Sequence, residues 1–222
     1  MINNLYKGER LTIMKLKVRW NMHMYIKYYK RIIDFVLSLT AIILLLWLFI
    51  LLMLFIKLSS KGPVFFRQKR IGKNKSEFYI LKFRTMRINT PSDMPTHLLE
   101  NPEKYITVIG KILRKTSLDE LPQLFNIVKG DMSIVGPRPA LWNQYDLIEE
   151  RDKYGANNVR PGLTGWAQIN GRDEIPIQLK AKLDGEYITR ISFLFDIKCI
   201  VKTVGCVIRR DGVKDGTVKV RD

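Results

Sequence analysis

Asp119 and Glu120 stand side by side in Lys115-Thr-Ser-Leu-Asp-Glu-Leu-Pro-Gln123, just after the cations Lys111, Arg114 and Lys115. A carboxylate kept ionised among cations can act as a nucleophile, and the same cations attract an anionic substrate such as a phosphate. Ser117 followed three residues later by Glu120 has the form of a capping box. Pro122 fits only near a helix's first turn, so the pattern predicts a helix beginning at about the carboxylates. Leu121, Leu124, Phe125 and Val128 recur at helical spacing as far as Lys129-Gly130, a C-terminal stop, which gives about three turns. The positive end of that helix would also favour an ionised Asp119. Taken alone, the string is an ordinary helix cap, the commoner role of such residues.

Two further segments add to it. Lys129-Gly-Asp-Met-Ser-Ile-Val-Gly-Pro-Arg-Pro139 places Arg138 between two prolines, where fixed φ angles present a guanidinium stiffly, and its forked donors suit phosphate oxygens. The plain alternative is a rigid connector with a solvated Arg. Val159-Arg-Pro-Gly-Leu-Thr-Gly-Trp-Ala-Gln-Ile-Asn-Gly-Arg172 carries Arg160, Gln168 and Arg172 among glycines that permit close backbone approach to a ligand. Residue by residue, a surface loop with a packed Trp166 explains it equally well.

These three segments, with Lys61-Gly-Pro-Val-Phe-Phe-Arg-Gln68 and Lys82-Phe-Arg-Thr-Met86 upstream, closely resemble the bacterial sugar transferases that are monotopic phosphoglycosyl transferases; the likeness runs from about Lys30 to Gly212. The resemblance implies transfer of a sugar 1-phosphate from a nucleoside diphosphate sugar, usually a UDP-sugar, to a membrane polyprenyl phosphate such as undecaprenyl phosphate, starting glycan assembly. It implies Asp119 as nucleophile, Glu120 as its partner carboxylate, Arg114 and Arg138 around the phosphates, and Mg²⁺ at the Asp119 carboxylate. Lys115, Arg160, Gln168 and Arg172 are further substrate-binding candidates. The expected setting is the bacterial inner membrane with the catalytic domain facing the cytoplasm, and downstream glycosyltransferases are candidate partners.

The composition agrees. A chain of 222 residues is long enough for one modest domain, and a net charge of +17 seeks anionic partners, whether headgroups, lipid phosphates or nucleotides. No helix-turn-helix, zinc-finger or RNP pattern supports a nucleic-acid partner, and no G-x-G-x-x-G or Walker motif supports a Rossmann or P-loop architecture. Cys199 and Cys206 are too few for a disulfide framework, and neither His23 nor His97 lies in a motif.

Phe35 to Ile56 contains only Ser38 and Thr40 as polar residues, long enough to cross a bilayer as a helix. Lys27, Lys30 and Arg31 precede it and Lys57, Lys61 and Arg67 follow, so both flanks favour the cytoplasmic side. A re-entrant segment satisfies both, and the resemblance implies one, broken at a Ser-Pro pair. Here that place reads Leu46-Trp47 with no proline, so both a re-entrant and a spanning helix stay open. Asp34 could anchor a re-entrant segment by pairing with Arg31 or another cation.

The expected organisation is α+β: a basic interfacial leader over 1–31, a membrane-embedded helix over 32–57 and a cytoplasmic catalytic domain over 58–222. Met14, Met22 and Met24 are alternative starts, and Met24 fits the family's usual length. Alternation from Pro63 to Met86 around Gly72-Lys-Asn-Lys predicts a β-hairpin in which Arg84 gives structural support, and 88–106 reads as a mobile surface loop. Helical patterns cover 175–190 and 192–210. In the second, Ile197, Ile200, Val201, Val204 and Ile208 form a stripe opposite Lys198 and Lys202, suited to a membrane surface or to the protein's own core. Two rival functions are a glycosyltransferase releasing UDP and a non-catalytic basic membrane scaffold, which leaves Asp119, Glu120 and Arg138 without a purpose.

Overall fold

The computed structural model describes residues 24–90, 102–171 and 175–209. The leader before Met24, His23, His97, most of the expected 88–106 loop, and Arg172 lie outside the described residues.

After a π-type turn at Tyr25–Tyr29, α1 (Lys30–Leu44) and α2 (Leu46–Ser59) carry the apolar run. No single helix among the described residues is long and apolar enough to cross a membrane. Tyr25–Leu44 and Leu46–Ser59 pass that test together, bent by 64°. The break falls at Leu45 (φ −96°, ψ 7°), beside the position where the sequence shows no proline. Its cause is tertiary. The inner face of α1 buries Asp34 and Ser38 and packs Ala41 and Ile42 against Leu124, Ile127 and Met132. α2 buries Phe49, Leu52 and Ile56 against Phe83 and Leu113. Two half-helices that must satisfy two separate apolar clusters cannot stay collinear. Leu45 N–H still reaches the Ala41 carbonyl at 2.9 Å, so the bend leaves that backbone group bonded.

Asp34 does not pair with Arg31. It accepts from Ser133 Oγ (2.6 Å) and the Ile134 N–H (3.1 Å), while Arg31 donates to the Ile127 and Val128 carbonyls (2.5 and 2.7 Å). Those carbonyls lie at the end of α4 (Gln123–Lys129), so Arg31 completes a helix C-terminus that the following residue, Gly130, closes by turning away at φ 102°. Arg31→Met should therefore lower unfolding stability by about 1–2 kcal/mol, read from the denaturant midpoint in detergent. An unchanged midpoint would count against this capping role.

Strands β1 (Phe65–Ile71) and β2 (Glu77–Phe83) form the expected hairpin, in register from Phe65 opposite Phe83 to Ile71 opposite Glu77. Arg84 supports it as the sequence suggests, donating to the Ser60 carbonyl, Ser60 Oγ and the Lys61 carbonyl at the end of α2. Helix α3 (Val108–Thr116) precedes α4, and a short parallel pair, β3 (Ser133–Val135) and β4 (Gly162–Thr164), follows. Between these strands runs α5 (Tyr145–Asp152), and after them α6 (Trp166–Ile169), α7 (Ile177–Arg190) and α8 (Phe193–Arg209). The mixed α and β character is as read, with two two-stranded sheets among the described residues.

Polar contacts tie the ends together. Asp196 of α8 takes the Tyr187 hydroxyl on Oδ1 (2.8 Å), and on Oδ2 the Tyr25 hydroxyl (2.8 Å) and Lys30 Nζ (2.5 Å). The α8 stripe is divided: Ile200 packs on the core, whereas Leu194, Ile197, Val201 and Val204 are exposed. Cys199 is buried and Cys206 half-buried, both as free thiols.

Candidate active site

The two carboxylates are delivered by a tight turn between α3 and α4. Thr107 caps α3 by accepting from the Gly110 N–H (2.9 Å), and the helix ends at Ser117, whose φ of 57° is left-handed. Ser117 makes no side-chain cap, so the expected capping box does not form. Leu118–Glu120 form one 3-10 turn, Pro122 precedes the first residue of α4, and the helix starts at Gln123, three residues later than the pattern suggests. A left-handed non-glycine residue costs roughly 1 kcal/mol, and strain of this kind is held where the surroundings over-determine the backbone. Here it sets Asp119 and Glu120 in the turn between the two helices.

The pair is electrostatically unequal. Glu120 Oε1 receives Lys82 Nζ at 2.7 Å and Arg138 Nη2 at 3.2 Å. Burial opposes the Glu120 charge, but Lys82 and Arg138 outweigh it and hold the carboxyl well below the usual range. Among the described residues no hydrogen bond or ion pair reaches the Asp119 carboxylate. Burial, with Glu120 beside it, pushes Asp119 up to about 6 against the pull of Lys82, Arg114 and Arg138. Glu120 is thus held by Lys82 and Arg138, whereas of the cations just before Asp119 in the chain Arg114 contributes to its field. Asp119 is left less fully ionised than expected, yet open to a ligand.

Arg138 is presented as stiffly as its prolines suggest. The Pro137 carbonyl accepts from the Gly162 N–H (2.9 Å), the Pro139 carbonyl from Arg70 Nη1 (3.0 Å), and the Ala140 carbonyl from the Ile71 N–H (3.0 Å). The glycines of the Val159–Arg172 segment serve this same loop. A Cβ on Gly162 would lie 2.1 Å from Gly136 N, and one on Gly165 would lie 2.1 Å from the Gly136 carbonyl oxygen. The close approach is backbone to backbone.

The remaining candidates are distributed differently. Arg114, half-buried, has Nη1 3.7 Å from Met86 Sδ and contributes to the field at Asp119. Lys115 is exposed on α3. Arg160 donates Nε to the Gly130 carbonyl (2.8 Å), at the far end of α4 from the carboxylates. Gln168 donates to the Leu163 carbonyl (3.2 Å), and its buried Oε1 has no partner. Lys82 is the residue that sequence reasoning left without a role. Its partner is 38 positions away, and only the alternation of β2, which turns Lys82 to the face opposite Phe83, hinted at it.

No cluster of three or more His, Cys, Asp or Glu side chains among the described residues could hold a metal by itself. Mg²⁺ commonly uses one or two carboxylates and completes its shell with waters and substrate phosphates. The unengaged Asp119 carboxylate fits that mode, whereas Glu120 is committed to its two cations.

A family model described as bacterial sugar transferase matches residues 25–210. The chain is 38% identical over 192 residues to the exopolysaccharide production protein ExoY of Sinorhizobium fredii, covering 80% of this chain and 84% of that one. It is 41% identical over 183 residues to the UDP-glucose:undecaprenyl-phosphate glucose-1-phosphate transferase of Escherichia coli, covering 79% of this chain but 39% of that longer protein. It is 34% identical over 195 residues to the UDP-N-acetylgalactosamine-undecaprenyl-phosphate N-acetylgalactosaminephosphotransferase of Aeromonas hydrophila, covering 84% and 45% respectively. With five ordered motifs, the carboxylate turn and a match over most of its length, the chain belongs to the bacterial sugar transferase family.

Proposed function

We propose that this protein is a phosphoglycosyl transferase that moves a sugar 1-phosphate from a UDP-sugar to a membrane polyprenyl phosphate, with Asp119 as nucleophile and UMP as leaving group. The observation that carries the reading is the unequal pair: Glu120 is neutralised by Lys82 and Arg138, while the adjacent Asp119 carboxylate takes no hydrogen bond or ion pair among the described residues. Relatives named for sugar-phosphate transfer to undecaprenyl phosphate support the same class of acceptor here.

In the first half-reaction an Asp119 oxygen attacks the β-phosphorus of the donor. The bond from that phosphorus to the bridging oxygen breaks, and its electron pair leaves with UMP. In the second, an oxygen of the lipid phosphate attacks the same phosphorus, the acyl-phosphate bond breaks, and the Asp119 carboxylate is regenerated. Two substrates, one aqueous and one in the bilayer, then use one site in turn. Arg114 and Arg138 stabilise the charge that develops on the phosphoryl oxygens, and Glu120 keeps Lys82 and Arg138 in position for it. Mg²⁺, held by Asp119 together with the donor phosphates, would supply further charge neutralisation.

The setting is the bacterial inner membrane. The bent α1–α2 pair exposes Ile43, Leu44, Leu46, Trp47, Ile50 and Leu54, and a re-entrant placement keeps the cations on both flanks at the cytoplasmic face. The exposed stripe of α8 lies on the same membrane surface, with Lys198 and Lys202 folded over Trp166 at 5.5 and 5.2 Å from its ring centre.

The test uses the full chain in membranes with Mg²⁺, polyprenyl phosphate and a panel of UDP-sugars. UMP is the expected product, with about one UMP per chain released by donor alone, the signature of a covalent half-reaction. Release of UDP would identify an ordinary glycosyltransferase and overturn the proposal.

A further inference from the structure

A cavity of about 550 Å³ opens where α2 leaves the apolar run, lined by Ser59, Ser60, Lys61, Arg87, Asn89 and Thr107. Its surroundings are split by polarity. Leu58, Ile88 and Val108 are 74%, 65% and 80% exposed, so apolar surface reaches its mouth. Behind the wall lies Arg84, only 6% exposed, whose guanidinium among the described residues is met by neutral acceptors alone, the Ser60 and Lys61 carbonyls and Ser60 Oγ. Its Nε is buried without a hydrogen bond. Lys61 and Arg87 form no ion pair among the described residues either. A buried cation without a counter-charge is costly, and burial accordingly lowers the Arg84 pKa with no carboxylate opposing it. Two cations lining the cavity, a third behind its wall, a space of headgroup size and an apolar margin describe a place for an amphiphile with an anionic head.

We propose that this cavity holds the phosphate headgroup of an anionic bilayer phospholipid, whose acyl chains run along the exposed side of α2. The inference rests on the reading that the α1–α2 pair lies in a membrane. The site is separate from the carboxylates. It touches Thr107 and Val108 at the start of α3, whereas Asp119 follows the end of that helix, whose nine residues span roughly 13 Å. A phosphate here is too distant to accept the sugar phosphate, and its work is to seat the catalytic turn at a fixed height above the bilayer.

The experiment is native mass spectrometry of the full chain released from mixed micelles of phosphatidylglycerol and phosphatidylcholine, with and without polyprenyl phosphate. The wild type is expected to retain phosphatidylglycerol selectively. A Lys61→Gln, Arg87→Gln double variant should retain it roughly 30-fold less well, the effect of two basic side chains at an anionic lipid surface. Both side chains are exposed, so the variant should keep the wild-type thermal midpoint, and UMP release by donor alone should be unchanged. Equal retention by variant and wild type would overturn the proposal. So would mole-for-mole displacement of phosphatidylglycerol by polyprenyl phosphate, which would assign the cavity to the acceptor. The UMP assay run in parallel reports on the catalytic reading independently, so failure of one is distinguishable from failure of the other.

Discussion

Asp119→Asn is expected to lower sugar-phosphate transfer by at least about 10⁴-fold and, at the same time, to make the folded protein more stable. The activity loss follows from replacing the carboxylate proposed to attack the donor phosphorus with a non-nucleophilic amide. The stability gain follows from the site's electrostatics. Burial first, and then Glu120, raise the Asp119 pKa from 3.8 to about 6, so the charged carboxylate is less comfortable in the folded chain than in the unfolded one. The sign is that of a raised acid: the group's contribution to stability is fully present below pH 3.8 and is lost as pH rises through about 6. In EDTA at neutral pH the variant should therefore gain roughly 1–3 kcal/mol over wild type, and the gap should close toward about pH 4. Thermal midpoints across that range measure it. A variant that is destabilised at neutral pH, or that still turns over UDP-sugar, would remove Asp119 from the role assigned to it.

Glu120→Gln should act in the opposite sense. Lys82 and Arg138 would lose the carboxylate they share at 2.7 and 3.2 Å, leaving two partly buried cations with a neutral neighbour. Stability should fall by roughly 2 kcal/mol, and turnover by about 10²-fold as the cations leave their positions. The covalent adduct on Asp119 should still form with donor alone, because Glu120 is proposed to organise charge and not to carry a proton. If the adduct never appears in this variant while Asp119 is intact, Glu120 takes part in the bond-making step itself.

The sequence made some of this site legible because some of its information is local. The hairpin around Gly72, the stiff Arg138 loop and the glycine stop after Lys129 each follow from the residues that build them, and each is present. The distribution of charge was not legible. Of the cations before Asp119 in the chain Arg114 does act on it, but Lys82, the strongest cation at Asp119, and Arg138, which with Lys82 holds Glu120, arrive from a strand and a loop elsewhere. Ser117 shows the same limit in the backbone. Ser-x-x-Glu predicts a cap, yet Ser117 instead closes α3 in a left-handed conformation, and a 3-10 turn intervenes before α4 starts at Gln123. Arg160, a substrate-binding candidate from its glycine-punctuated loop, donates its Nε to the Gly130 carbonyl, a contact the sequence does not show. An arginine's role depends on which acceptor the fold brings within reach.

The bend at Leu45 has a consequence for how the protein is made. No residue at the hinge enforces the change of direction; the enforcing contacts are Phe83, Leu113, Ile127, Ser133 and Ile134, all of which leave the ribosome after it. While the nascent chain holds only the apolar run and its basic flanks, the contacts that hold the bend do not yet exist, and only the flanking cations favour keeping both ends on one side. On the re-entrant placement proposed above, the 64° bend is therefore fixed only when the later polypeptide folds against the two half-helices.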